Sequence, residues 1–147
     1  MPMIDVDLPE GLVPVAAHAR LAGDLARALL RAEGAPDASP YAENTGVYLH
    51  VQPRTAVHTA AQAEAPVVRV QVLTPPGALD REGQRGLVAE ATRLVSEAGG
   101  DPSLAGRTWV LLREAAEGGW GVFGSAFGRE EFAALRAGAA GAAAATP

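Results

Sequence analysis

A strand–helix–strand pattern is written twice in this chain, at a nearly constant offset. Met3 to Leu8 alternates apolar and polar residues, the period of a half-buried strand, and Pro9-Glu10-Gly11 ends it. Ala16 to Ala32 then carries Leu21, Ala22, Leu25, Ala26, Leu29 and Leu30 at helical spacing, with Gly34 just past the end. A Pro/Asp/Ser loop leads into Val47 to Val51, a β-branched returning strand. The second pass begins with Val67 to Leu73, stopped by Pro75-Pro76-Gly77. Asp80 is placed to cap a helix whose apolar positions are Leu87, Val88, Ala91, Leu94, Val95 and Ala98. Gly99-Gly100 ends that helix, and Thr108 to Arg113 is the returning strand. Gly11 and Gly77 lie 66 positions apart, as do Gly34 and Gly100; Val47 and Val110 lie 63 apart.

Two tandem βαβ units, about 2–55 and 67–124, follow from that repeat. The expected architecture is α/β (α+β): a four-stranded mixed sheet with two helices on one face. Residues 56–66 read as a connector, 118–128 as a glycine-rich hairpin or loop, and 130–136 as a short helix. The 147 residues suit one domain, placed at 1–136, with an Ala/Gly-rich tail at 137–147 that has little to pack.

Strand alternation assigns the faces. Ile4, Val6, Leu8, Val68, Val70 and Val72 point toward the helices. Met3, Asp5, Asp7, Tyr48, His50, Arg69, Gln71, Leu73, Arg107, Trp109, Leu111 and Arg113 point away. Helices cover only one face, so this mixed polar and aromatic surface calls for another subunit.

Composition removes much chemistry. All twelve cationic residues are arginine, and there is no cysteine. Lysine Schiff bases, phosphate-loop lysines, thiol nucleophiles, disulfides and thiolate metal sites are excluded. A net charge of −5 argues against nucleic acid. No apolar run suits a membrane span, and the acidic MPMIDVD start is unlike a secretory signal, so a cytoplasmic protein is expected. No metal and no cofactor are expected, since His18, His50 and His58 lack ligand spacing. Gly119 to Gly124 spells G-x-G-x-x-G without a following βαβ unit, and reads as a hairpin.

Pro2 is the residue with latent chemistry. Small second residues, proline included, generally permit removal of the initiator methionine, which would leave a secondary amine at the start of a buried strand. An α-amino group titrates near pH 8 in water, about 7.7–8.0. Proline is intrinsically more basic, and burial lowers the value again. A base poised near neutrality is what proton transfer beside a carbonyl requires.

With Pro2, the strand into Leu8-Pro9-Glu10-Gly11, the tandem repeat, and Glu114-Ala115-Ala116-Glu117-Gly118-Gly119-Trp120-Gly121, the chain resembles the tautomerase superfamily. The resemblance covers most of residues 2–136. It implies a 4-oxalocrotonate tautomerase-like fold in a fused two-unit chain, similar to malonate semialdehyde decarboxylase and cis-3-chloroacrylic acid dehalogenase, and a homotrimer. It also implies Pro2 as the catalytic group and Trp120 as the aromatic residue near it. Val68 stands where a second proline would be, so one catalytic proline per chain is expected. The arginine that follows Glu-Gly in 4-oxalocrotonate tautomerase is Leu12 here, and its returning-strand arginine is replaced by Gly46 and Trp109. The arginine pair of the decarboxylase and dehalogenase falls on Thr74-Pro75-Pro76-Gly77.

A guanidinium suits a carboxylate, so Arg69, Arg107 and Arg113, with Trp109 and Trp120, are the candidate substrate-binding residues. Arg69 has a competing use in pairing with Asp5 or Asp7 across a subunit contact. The expected function is cofactor-independent keto–enol tautomerisation of a small 2-oxo or enol carboxylic acid. Two alternatives stay open. One is decarboxylation, hydration or dehalogenation of a small acid by a protonated Pro2. The other is a non-catalytic trimeric ligand-binding module.

Overall fold

The computed structural model describes residues 2–35 and 37–144, with side chains as far as residue 138. In the first repeat, β1 spans Met3–Pro9, α1 Val15–Ala32 and β2 Gly46–Gln52. In the second, β3 spans Val68–Thr74, α2 Arg81–Gly99 and β4 Thr108–Glu114. A small hairpin follows, β5 Trp120–Val122 and β6 Ser125–Phe127, and then α3, Arg129–Ala144.

The main sheet runs β2-β1-β3-β4. Each repeat contributes a parallel pair, and the repeats join antiparallel through β1 and β3, with Met3 opposite Leu73 and Val6 opposite Val70. The two halves are thus related by an approximate two-fold axis near the Val6–Val70 pair. The expected mixed sheet forms, and α1 and α2 lie side by side on one face.

The alternation read from sequence decides what is buried. Ile4, Val6, Leu8, Val68, Val70 and Val72 are all essentially inaccessible. They meet Leu21, Leu25 and Leu29 of α1 and Leu87, Leu94 and Val95 of α2 in one core. Each such side chain contributes roughly 1.5–3 kcal/mol of transfer free energy. Local signals agree with that core. Asp80 accepts the Gly83 N–H at 2.7 Å, and Gly100 closes α2 at φ +65°, a left-handed turn that glycine adopts without a Cβ penalty.

Two details differ from the sequence reading. Val88 is exposed rather than inward, because the stripe of Leu87, Ala91, Leu94, Val95 and Ala98 already fills the buried face of α2. α3 runs to Ala144 instead of stopping at Arg136. Alanine is the strongest helix former, so a stretch with little to pack still continues the helix. Residues 145–147 of the expected tail lie outside the described residues.

The uncovered face is as the alternation implies. Tyr48, Leu73, Trp109 and Leu111 are exposed on it, at 54, 39, 47 and 43%. Among the described residues no helix is long and apolar enough to cross a membrane.

Candidate active site

β1 and β2 begin, and β3 and β4 end, at one rim of the sheet. Pro2 sits at this rim, buried, with its carbonyl accepting the Gly46 N–H at 3.1 Å. A Cβ on Gly46 would meet the Met3 sulfur at 2.9 Å and the Tyr48 ring at 3.2 Å. Glycine there lets those two side chains close over the start of β2.

The β5–β6 hairpin and α3 fold back onto the same rim. Trp120 is 6% exposed and packs edge-on against Phe132, ring centroids 6.5 Å apart; Phe127 meets Phe132 at 5.5 Å. Met3, the neighbour of Pro2, packs into this cluster. The hairpin aromatic is thus a core residue, and the small core it belongs to adjoins Pro2.

Charged contacts fasten the start of α3. The Gly128 N–H donates to Glu131 at 2.7 Å, holding that carboxyl below its usual range. The Arg129 N–H donates to Glu117 at 2.8 Å, and its guanidinium reaches Glu114 at 3.3 Å and Glu117 at 3.5 Å. Acids in a first turn also suit the helix dipole.

Arg113 lies on the open face at this rim, across from Leu73, which in turn lies across from Met3. Two strand spacings put it about 10 Å from the first strand. Its carbonyl accepts the Thr74 hydroxyl at 3.3 Å, and among the described residues its guanidinium makes no hydrogen bond or ion pair.

Glu33 comes to the rim from the other layer. It caps the C-terminal end of α1, its N–H bonded to the Leu29 carbonyl at 3.0 Å. Its Oε1 is shielded from solvent. Burial pushes its carboxyl above the ordinary 4.5, while the positive charges of the Met1 amino group and of Arg136 on α3 pull it the other way.

Arg69, Arg107 and Trp109 lie at the opposite rim. The register separates Arg69 from the Met3 end by four residues, roughly 13 Å of strand. Arg69 is held by Asp7 of its own chain at 2.9 Å, not across a subunit contact. Arg107 donates to the Pro66 carbonyl at 2.6 Å, to Asp101 at 2.7 Å and to Ser103 at 2.8 Å, which ties a loop down. Arg69 and Trp109 share a cavity of about 260 Å³ with Asp7, Gln52 and His58. Within one chain, then, Pro2 has Arg113 and Trp120 at its rim and not the other three.

His50 pairs with Asp5 at 2.6 Å, and His18 and His58 each bond a nearby carbonyl. Among the described residues no three acids or histidines gather as a metal site would need. Glu33, Arg136 and Phe132 were not singled out in the sequence. Glu33 did carry a signal: a carboxylate at a helix C-terminus faces the negative end of the dipole, a placement that calls for a local cation.

No family model matches the chain, and no curated protein does. Solved structures do. A fused 4-OT in a symmetric trimer superposes with a TM-score of 0.71 at 23% identity, over 84% of this chain and 93% of that one. Pt0534, inactivated by 2-oxo-3-pentynoate, gives 0.73 at 22% identity, over 88% and 98%. Macrophage migration inhibitory factor of Toxoplasma gondii gives 0.65 at 14% identity, over 86% and 98%. With its two βαβ repeats joined through antiparallel β1 and β3, the chain has the fold of the tautomerase superfamily in its fused, two-unit form.

Proposed function

We propose that the protein is a cofactor-independent keto–enol tautomerase for a small 2-oxo or enol carboxylic acid, working through Pro2 once Met1 has been removed. The observation that carries this reading is a buried Pro2 at the start of β1, beside an aromatic cluster and on the same rim as Arg113, whose guanidinium has no partner among the described residues. The neutral proline nitrogen takes the proton of the enol oxygen and returns it to the adjacent carbon, giving the ketone with no net change in protons. Arg113 holds the substrate carboxylate. Trp120 and Phe132 keep water from the rim, so that charge on the enolate is stabilised in a low dielectric.

The solved neighbours that form trimers support a homotrimer, assembled on the open face of the sheet. That use gives Tyr48, Leu73, Trp109 and Leu111 a partner.

The test is the ultraviolet decay of an arylenolpyruvate with protein whose mass proves that Met1 is gone. Ketonisation well above buffer, lost in Pro2→Ala, is expected. No acceleration across a broad pH range would refute it. A conjugated ynone accepts an amine nucleophile, so 2-oxo-3-pentynoate should also add once per chain, at Pro2.

A further inference from the structure

We propose that Phe123, at the tip of the β5–β6 hairpin, joins copies of this chain by seating in the cavity that the next subunit carries at the rim opposite Pro2. This rests on the homotrimer of the proposed function, and it adds which two surfaces meet. Val122 pairs with Ser125, so Phe123 and Gly124 form a two-residue turn, at φ +53° and +74°. Such a turn needs positive φ at both positions and usually carries Asn-Gly or Gly-Gly. A bulky side chain is an outlier there, and Phe123 is 71% exposed. Left in water on a strained backbone, the ring contributes little to a lone subunit. It stands apart from the Trp120–Phe132 cluster that holds the hairpin.

The cavity of about 260 Å³ at the opposite rim has the converse shape, with Ala56, Val57, Val67 and Trp109 as its apolar wall. Its charged residues, Asp7 and Arg69, neutralise each other at 2.9 Å. Nε2 of His58 is taken by the Thr55 carbonyl at 2.7 Å. A space below the roughly 300–1,000 Å³ of drug-sized sites suits a single ring. With its charges cancelled it suits an uncharged one, and residues 118–128 of the hairpin segment carry no charge. Trp109 offers an aromatic edge and Arg69 a guanidinium, and both attract a phenyl ring. The length of β1, 7 residues or roughly 23 Å, separates the two rims, so a chain's own Phe123 does not reach its own cavity. Knob and hole on different surfaces make a heterologous contact, the kind that closes copies into a ring. Trp109 belongs both to the cavity wall and to the open face, so the contact continues the surface on which the trimer is assembled.

Photo-crosslinking reads the contact directly, with benzoylphenylalanine placed at position 123. Mixing ¹⁴N and ¹⁵N chains lets mass spectrometry separate links between subunits from links within one. The expected link runs between subunits, onto residues 56–58, 67–69 or Trp109. A trimer whose links fall elsewhere, hairpin to hairpin or within one chain, overturns the proposal and leaves the homotrimer standing. A wild-type chain that sediments as a monomer removes both. Phe123→Asn supplies an independent readout, because asparagine suits the turn and folding should not suffer. The concentration at which the trimer half-dissociates should rise about tenfold or more, as for loss of an interface aromatic. Ala56→Trp, which fills the cavity, should weaken the trimer in the same direction. Unchanged dissociation in either variant overturns the seating of Phe123.

Discussion

Arg69 donates both Nε and Nη2 to one oxygen of Asp7, at 3.1 and 2.9 Å, directly across the β1–β3 seam. The pair is half in solvent, so it adds little to stability, but it commits that arginine to the rim farthest from Pro2. Arg69→Gln is therefore expected to leave kcat/KM for arylenolpyruvate within about threefold of wild type. A loss of a hundredfold with an intact fold would return Arg69 to the substrate, through a neighbouring subunit.

Arg113 should behave differently. Removing a guanidinium that holds a carboxylate through charge-assisted bonds costs on the order of 1.5–3 kcal/mol. Steady-state kinetics of Arg113→Ala should show KM raised about tenfold or more, with kcat less affected. An unchanged KM would remove Arg113 from the carboxylate site.

Trp120 joins the hairpin to α3 through Phe132 and to β1 through Met3. Trp120→Ala should lower stability by roughly 3–5 kcal/mol, measured by urea unfolding. Trp120→Phe should recover most of it, since an aromatic edge contact is retained.

The strands, both long helices and their stops were readable because period and punctuation agree along the whole repeat. Asp80, Gly100 and the alternation of Ile4-Asp5-Val6-Asp7 each act locally, and local rules reached them. Pro2, Trp120 and Arg113 were readable as candidates, but only the sheet register and the packing of the hairpin on Met3 put them on one rim, with Arg69, Arg107 and Trp109 on the other. Glu33 escaped because its burial depends on what packs over the end of α1, which no periodicity carries. The length of α3 was underestimated for a related reason: alanine has no face to pattern, yet it favours helix strongly.

Burial raises the Glu33 carboxyl above 4.5, so the folded state holds that proton more tightly than the unfolded chain does. Stability from this group is therefore full below about pH 4.5 and is lost as pH rises through the elevated folded value. Thermal melts compared between pH 4 and pH 7 should show the wild type losing more than Glu33→Gln over that interval. Equal losses would mean that Glu33 titrates as an ordinary surface acid.

If the open face joins subunits, a charge in its centre should separate them. Leu111, 43% exposed on β4, is the position to change. Leu111→Glu is expected to shift sedimentation from trimer to smaller species, because an unpaired carboxylate in an apolar interface is strongly disfavoured. A wild-type chain that sediments as a monomer would rule out the trimer.

The antiparallel seam between β1 and β3 separates what the two repeats can do. Their opening residues emerge at opposite rims, Pro2 at one and the Val67–Val68 end at the other. Substitutions at the Val68 rim leave the electrostatics of the Pro2 rim untouched, beyond the reach of a screened charge. A chain built this way can keep chemistry in one half and let the other become pure architecture. Two separate copies of a single repeat, bound to carry the same residue at both rims, have no such freedom.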